Sequence, residues 1–271
     1  MDRRLTPANG RVADSTLEGQ VTALRFTAGT QARVTAAVED LRPAPGAMRD
    51  RQLLWGEEVT VYERRDGWAF VRAARDGYVG YIRTAALGAP RQATHRVAVP
   101  ATHLYEAENI KSPDLAHLSF GARITIVSEC KHFWETAEGF IPKKHLRPLD
   151  RPFTDPVTVA QAFFGTPYLW GGNSILGIDC SGLVQAAHLA CDVPCPGDSD
   201  LQERSLGRET YADPRRGDLW FWRGHVGLVV DEETLIHANG HHMAVVYEPL
   251  KAAELRIQAQ GGGDVTQRKR L

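Results

Sequence analysis

Between Leu53 and Leu87 short apolar runs alternate with turn signals. Val59, Val61, Phe70, Val71, Val79 and Ile82 fall at strand spacing, and Arg65-Asp66-Gly67 and Arg75-Asp76-Gly77 supply Asp-Gly turns. A β-prone stretch from Gln31 to Val38, closed by Pro43-Ala44-Pro45-Gly46, precedes them. This pattern predicts a small all-β barrel. It then recurs: Gly56-Glu57-Glu58-Val59-Thr60-Val61 is echoed by Gly121-Ala122-Arg123-Ile124-Thr125-Ile126, Trp68 by Trp134, and Gly80-Tyr81-Ile82 with Leu87 by Gly139-Phe140-Ile141 with Leu146. We read an internal repeat of one β module with a shorter loop in the second copy. Two unrelated β segments are the alternative.

Past the linker Asp150-Arg151-Pro152-Phe153-Thr154-Asp155-Pro156 the texture changes. Val157 to Phe164 reads as a short helix. Leu183, Val184, Ala187 and Leu189 give a helix from Ser181 to Ala190. Strands are predicted from His225 to Val230 and from Thr234 to Ala238, joined by Asp231-Glu232-Glu233. Helix followed by strands is an α+β arrangement. The expected organisation is an arm over 1–29, β modules over 30–90 and 91–150, an α+β domain over 151–260 and a disordered tail over 261–271. The arm is expected to be loosely held. In the second module, Trp134, like Trp68 in the first, is assigned to the core.

Composition narrows the function classes. The chain has 271 residues, 32 Lys plus Arg against 33 Asp plus Glu, and a net charge of -1. That balance argues against a nucleic-acid partner and against a polybasic membrane surface. Four cysteines are too few for a disulfide scaffold. The start, Met1-Asp2-Arg3-Arg4-Leu5-Thr6-Pro7, lacks the apolar stretch of a secretory leader, so a cytoplasmic location is expected.

Cys180 is the candidate for chemistry. It follows Asp179 and opens the predicted helix, where unpaired N–H groups and the helix dipole favour a thiolate and can hold an oxyanion. The bland reading is a small buried core residue. Pairing Val230 with Thr234 sets His225 opposite Asn239 and His237 opposite Gly227, so both imidazoles share one face. A thiol and two histidines make a nucleophile, a base and an orienting group. Cys191 and Cys195, four apart with His237, His241 and His242 downstream, lack the usual spacing of a zinc site, and no metal or cofactor is expected. Asp218 is read as structural, holding the turn before the His225 strand.

The stretches Pro167-Tyr168-Leu169-Trp170-Gly171-Gly172, Asp179-Cys180-Ser181-Gly182, Gly217-Asp218-Leu219, His225-Val226-Gly227 and Leu235-Ile236-His237-Ala238 together resemble the NlpC family of papain-like cell-wall peptidases. The N-terminal part resembles the paired bacterial SH3-type modules of one branch, the γ-D-glutamyl-L-diamino acid endopeptidases. The resemblance implies a papain-like catalytic domain behind two SH3-like barrels. It implies Cys180 as nucleophile, His225 as base, His237 as orienter and Tyr168 as an oxyanion partner. It further implies a small murein peptide with a free N-terminal L-Ala as substrate, in peptide recycling. Gly56-Glu57 and Asp76-Gly77-Tyr78 match the branch, so Glu57, Tyr78 and Asp179 are the implied ammonium partners, with Ser181 and Ser199 also at the substrate. One departure stands out: Pro196-Gly197-Asp198-Ser199 has Gly where the family carries Arg, which puts the substrate carboxylate's anchor in question. The competing readings are a wall-binding module with an inactive catalytic domain, and a Cys-His amidase or acyltransferase on another substrate.

Overall fold

The structure, a computed structural model, describes residues 1–271 and divides into two compact units, Met1–Asp150 and Arg151–Leu271. In the first unit a five-stranded antiparallel sheet runs in the order Val79–Arg83, Trp68–Ala73, Glu58–Arg65, Thr30–Val34, Leu87–Gly88. Val34, Leu53, Val59, Val61, Val71 and Ile82 fill its core. Alternation in these strands yields two apolar faces rather than one. Phe70 and Val79 turn away from that core and pack with Tyr62 and Val12.

That second face explains why the 1–29 segment is not the loose arm that its polarity suggests. Strand Val12–Asp14 pairs in parallel with Arg25–Thr27, and Val12 covers the outer face of the barrel. The Tyr62 hydroxyl donates to Asp14 Oδ2 at 2.6 Å, and Arg11 forms an ion pair with Glu63 at 2.6 Å. Trp68, assigned to the core from sequence, is only partly buried and lies outside the buried cluster.

The second half of this unit repeats the pattern. Val97, Leu104, Leu118, Ile124 and Ile141 form its core, with Trp134 packed against them. Phe133–Glu135 pairs with Phe140–Pro142 as Trp68–Ala73 pairs with Val79–Arg83. Each pair leads into a 3₁₀ turn, Lys143–His145 or Thr84–Ala86, and then into Leu146 or Leu87. The matched positions Val59 and Ile124, and Ile82 and Ile141, are all core residues.

In the second unit, α1 (Pro156–Gln161) starts on the Asp155 cap with Pro at its first position, and α2 (Cys180–Ala190) on the Asp179 cap. A third helix, α3 (Ser199–Ser205), has no forecast in the sequence. The sheet has six antiparallel strands in the order Arg208–Glu209, Gln267–Arg270, Leu219–Trp222, His225–Val229, Thr234–Asn239, Ala244–Pro249. α2 packs on the His225 and Thr234 strands. α4 (Leu250–Ala259) covers Trp220, Trp222, Val229 and Leu235 with Leu250, Ala253 and Ile257.

The 261–271 segment also departs from expectation. Its Gln267–Arg270 stretch is a strand inserted beside Leu219–Trp222, so the folded domain runs past residue 260. Two contacts hold it. Arg270 makes a bidentate pair with Asp218, both at 2.7 Å, and the Arg268 guanidinium lies 4.1 Å from the Trp220 ring centroid. A Gly-rich, basic stretch reads as a frayed end until its buried acid and its aromatic platform are known. No helix is long and apolar enough to cross a membrane.

Candidate active site

The Asp179 carboxylate organises the start of α2. Its Oδ1 accepts from the Gly182 N–H at 2.6 Å and from the Ser181 hydroxyl at 2.9 Å, and its Oδ2 accepts from the Gly171 N–H at 2.9 Å. One buried side chain thereby caps α2 and clamps the Tyr168–Gly172 loop against it. That approach needs glycine in α2. A Cβ on Gly182 would lie 2.4 Å from the Gly172 carbonyl oxygen; the loop's own closure needs glycine too, since a Cβ on Gly172 would lie 2.4 Å from the carbonyl oxygen of Gly177 in the strand before α2. Cys180 is buried at the first turn, with the helix dipole's positive end at its backbone.

Tyr168 is held by its backbone N–H to the Met243 carbonyl at 2.9 Å. Burial, then the neighbouring Cys180 and Asp179, push its phenol well above the usual range, so the hydroxyl keeps its proton and can donate.

The two histidines meet as the strand register requires. Leu228 pairs with Ile236 and Val229 with Leu235, which sets His237 opposite Gly227. A side chain at 227 would collide with Leu235, 2.2 Å away, so glycine there leaves the space that Leu235 and His237 occupy. His225 Nε2 lies 2.9 Å from His237 Nδ1. His237 Nε2 lies 2.9 Å from Glu248 Oε2 and 3.0 Å from Asn239 Nδ2. Arg256 grips Glu248 with Nε on Oε1 and Nη2 on Oε2, both at 2.8 Å.

Charge decides the protons in this chain. Burial disfavours the Glu248 carboxylate, but the Arg256 and His237 hydrogen bonds outweigh it and hold the acid below its ordinary range. A carboxylate accepts only, so His237 Nε2 carries hydrogen and Nδ1 is its acceptor. His225 must then donate from Nε2, which leaves its Nδ1 as the free basic nitrogen. Asn239, whose Oδ1 accepts from the His242 N–H at 2.8 Å, turns its Nδ2 donor toward His237 Nε2 as well, but this neutral amide is outweighed by the Glu248 carboxylate. Burial lowers the basicity of His225, with His237 and Arg256 acting in the same direction and Glu248 against them. Burial likewise lowers His237, opposed by Glu248. Both rings are therefore neutral in the resting protein. The Trp222 ring packs 5.6 Å from the His225 ring and shields it.

The remaining sequence-predicted residues fall in two places. Ser181 is bonded to Asp179, and Ser199 opens α3, which Gln202 ties to α2 by donating to the Ser181 carbonyl at 2.9 Å. Glu57 and Tyr78 lie in the N-terminal unit. Glu57 accepts from Arg75 Nη1 at 2.8 Å and from the Leu54 N–H at 3.0 Å, and Tyr78 is buried in the first core. No group of three His, Cys, Asp or Glu side chains is arranged to hold a metal ion. Sequence reading missed Glu248 and Arg256. The available signal was a lone acid on the buried face of a Val-rich strand, followed by a helix whose second turn brings Arg256 back over it.

A thiol at a capped helix start, a proton-holding tyrosine beside it and an imidazole oriented by a second imidazole define a cysteine peptidase domain. Residues 165–256 match the NlpC/P60 family and residues 41–87 the bacterial dipeptidyl-peptidase Sh3 domain, so the chain carries an SH3-type domain ahead of an NlpC/P60 domain. Relatives include the gamma-D-glutamyl-L-lysine dipeptidyl-peptidase of Bacillus subtilis, 27% identical over 69% of this chain and 71% of that protein. The same-named protein of Bacillus cereus is 25% identical over 74% of this chain and 70% of its own length. Dipeptidyl-peptidase 6 of Lysinibacillus sphaericus is 40% identical, but the match spans 31% of each chain. The fold is that of an NlpC/P60 family protein from Bacillus cereus, with a TM-score of 0.74 at 20% identity, covering 89% of this chain and 99% of that one.

Proposed function

We propose that this chain is a cysteine endopeptidase that cleaves the γ-D-glutamyl–diamino acid bond of short murein peptides. The observation that carries it is the 2.9 Å contact of His225 Nε2 with His237 Nδ1, which turns His225 Nδ1 outward as a base in a domain whose helix α2 begins at Cys180. His225 Nδ1 takes the Cys180 thiol proton, and the thiolate attacks the γ-carbonyl carbon of the D-glutamyl residue. The Cys180 N–H and the Tyr168 hydroxyl hold the oxyanion. The protonated His225 gives its proton to the leaving amine, and a thioester remains on Cys180. Water, deprotonated by His225, then releases the L-Ala-γ-D-Glu dipeptide and restores the thiol.

For the substrate's free ammonium we take Asp179, one of the partners that the resemblance implies, with Ser181 and Ser199 completing the contacts. The names of the Bacillus relatives, with their lysine, support a diamino acid on the leaving side. A near-neutral chain, with net charge -1, suits small soluble peptides better than anionic wall polymer, and we place the protein in the cytoplasm as a recycling enzyme. Cell fractionation checks the location.

Incubation with L-Ala-γ-D-Glu-diaminopimelate, followed by mass spectrometry, tests the reaction. Release of L-Ala-γ-D-Glu is expected. No dipeptide from enzyme with a reduced Cys180 would sink the proposal. N-Acetylation of the alanine should abolish cleavage, and unchanged turnover would remove the ammonium partners from the account.

A further inference from the structure

Beyond the three groups that do the chemistry, two side chains continue their line. Glu248 Oε2 receives His237 Nε2 at 2.9 Å and, on its other side, Arg256 Nη2 at 2.8 Å. The set is sequestered: His237 is fully buried, and the Glu248 and Arg256 side chains are 9% and 17% exposed. Charge in such surroundings acts over several ångströms without much screening by water.

We propose that Glu248 and Arg256 are positioning residues that set the proton affinity of His225 through His237, with opposite signs. Glu248 fixes the His237 tautomer and favours the imidazolium that forms on His225 when Cys180 ionises. Arg256 orients Glu248 with a bidentate grip and tempers its charge. Other ionisable groups face the relay. His225 comes from the neighbouring strand and His242 from the turn after the Thr234–Asn239 strand, while α2, packed on both strands, carries Cys180 and His188 along its length. α1, which also packs on this strand, carries none. Of these, only Glu248 is an acid hydrogen-bonded to the relay.

The inference rests on the cysteine-peptidase reading of the site, and its test needs no peptide. The pH dependence of Cys180 alkylation by iodoacetamide reports the thiolate–imidazolium pair, and its plateau near neutral pH reports how much of that pair is present. Glu248→Gln keeps an acceptor for His237 and removes the charge, so the plateau should fall by about 3-fold; Glu248→Leu removes both, and a fall of about 10-fold is expected. Arg256→Gln leaves Glu248 unopposed, so the plateau should rise and the alkaline limb should move to higher pH. Glu248→Asp should recover part of the loss. Thermal melts identify any variant that fails to fold, and the two Gln variants carry the test if Glu248→Leu does. A merely structural ion pair predicts losses of the same sign from both partners. That outcome, or an unchanged plateau in both, overturns the proposal. A wild-type protein that alkylates as described yet releases no dipeptide contradicts the substrate assignment and leaves this inference standing.

Discussion

Both units bury charged groups, and they use them differently. In the N-terminal unit the buried charges close on themselves. Glu57 is paired with Arg75, whose Nη2 also donates to the Gln52 carbonyl at 2.7 Å, and Glu39 holds Arg83 at 2.7 Å. Asp14 accepts from Tyr62 and from the Thr16 N–H at 2.9 Å. In the C-terminal unit the line from Arg256 through Glu248 and His237 ends at His225 Nδ1, which makes no hydrogen bond. A closed pair contributes to folding, whereas an open end can take up a proton. Sites for chemistry are therefore marked less by buried charge than by a buried polar chain with one free terminus.

The sharpest way to break this comparison is at the open end. Cys180→Ala should abolish peptide turnover, a loss on the order of 10⁴-fold or more, while the thermal midpoint stays near wild type. Peptide assays and melts of the same sample check both halves. Next, His225→Ala should cost about 10²- to 10⁴-fold in kcat, the usual range for a general base, and His237→Ala should cost less, because water can partly replace an orienter. Equal losses would erase the distinction between base and orienter.

Closed groups should answer in stability instead. Arg270→Ala leaves the Asp218 carboxylate, whose side chain is 2% exposed, with only the Arg215 N–H at 2.9 Å, and should lower the denaturant midpoint while peptide turnover stays near wild type. Asp179→Ala removes the α2 cap and the Gly171 clamp, so a loss of about 1–2 kcal/mol is expected, together with slower turnover as Cys180 loses its setting. The smallest effect concerns pH. His225 and His237 are both less basic folded than unfolded, where imidazole titrates near 6.5. The unfolded chain therefore binds more protons below that pH. Their contribution to stability is complete above about pH 6.5 and declines as pH falls. Replacing His225 by Gln should flatten this part of the stability–pH curve. A curve of unchanged slope would contradict the burial of a neutral ring.

The elements of the site were legible where a short-range rule governs them. Asp179 before an apolar helical pattern marks α2, and the Asp231-Glu232-Glu233 loop fixes the register that puts His225 and His237 on one face. Val59, Ile82, Ile124 and Ile141, matched to one another in sequence, are all buried core positions. What escaped depends on contacts distant in sequence. The Gln267–Arg270 strand is recruited by Asp218, 52 residues earlier. The first strand is recruited by the outer face of the barrel, where Val12 meets Tyr62 and Phe70. Glu248 reads as an ordinary strand charge until α4 turns Arg256 back over it.

In the proposed reaction Cys180 carries the acyl group of a γ-D-glutamyl peptide. The most direct test of this step is to quench the wild-type reaction with L-Ala-γ-D-Glu-diaminopimelate in acid and map the adduct by mass spectrometry. The account predicts a thioester-linked L-Ala-γ-D-Glu acyl group on the peptide containing Cys180, absent from Cys180→Ala. An adduct on another residue, or dipeptide release that continues in Cys180→Ala, contradicts it.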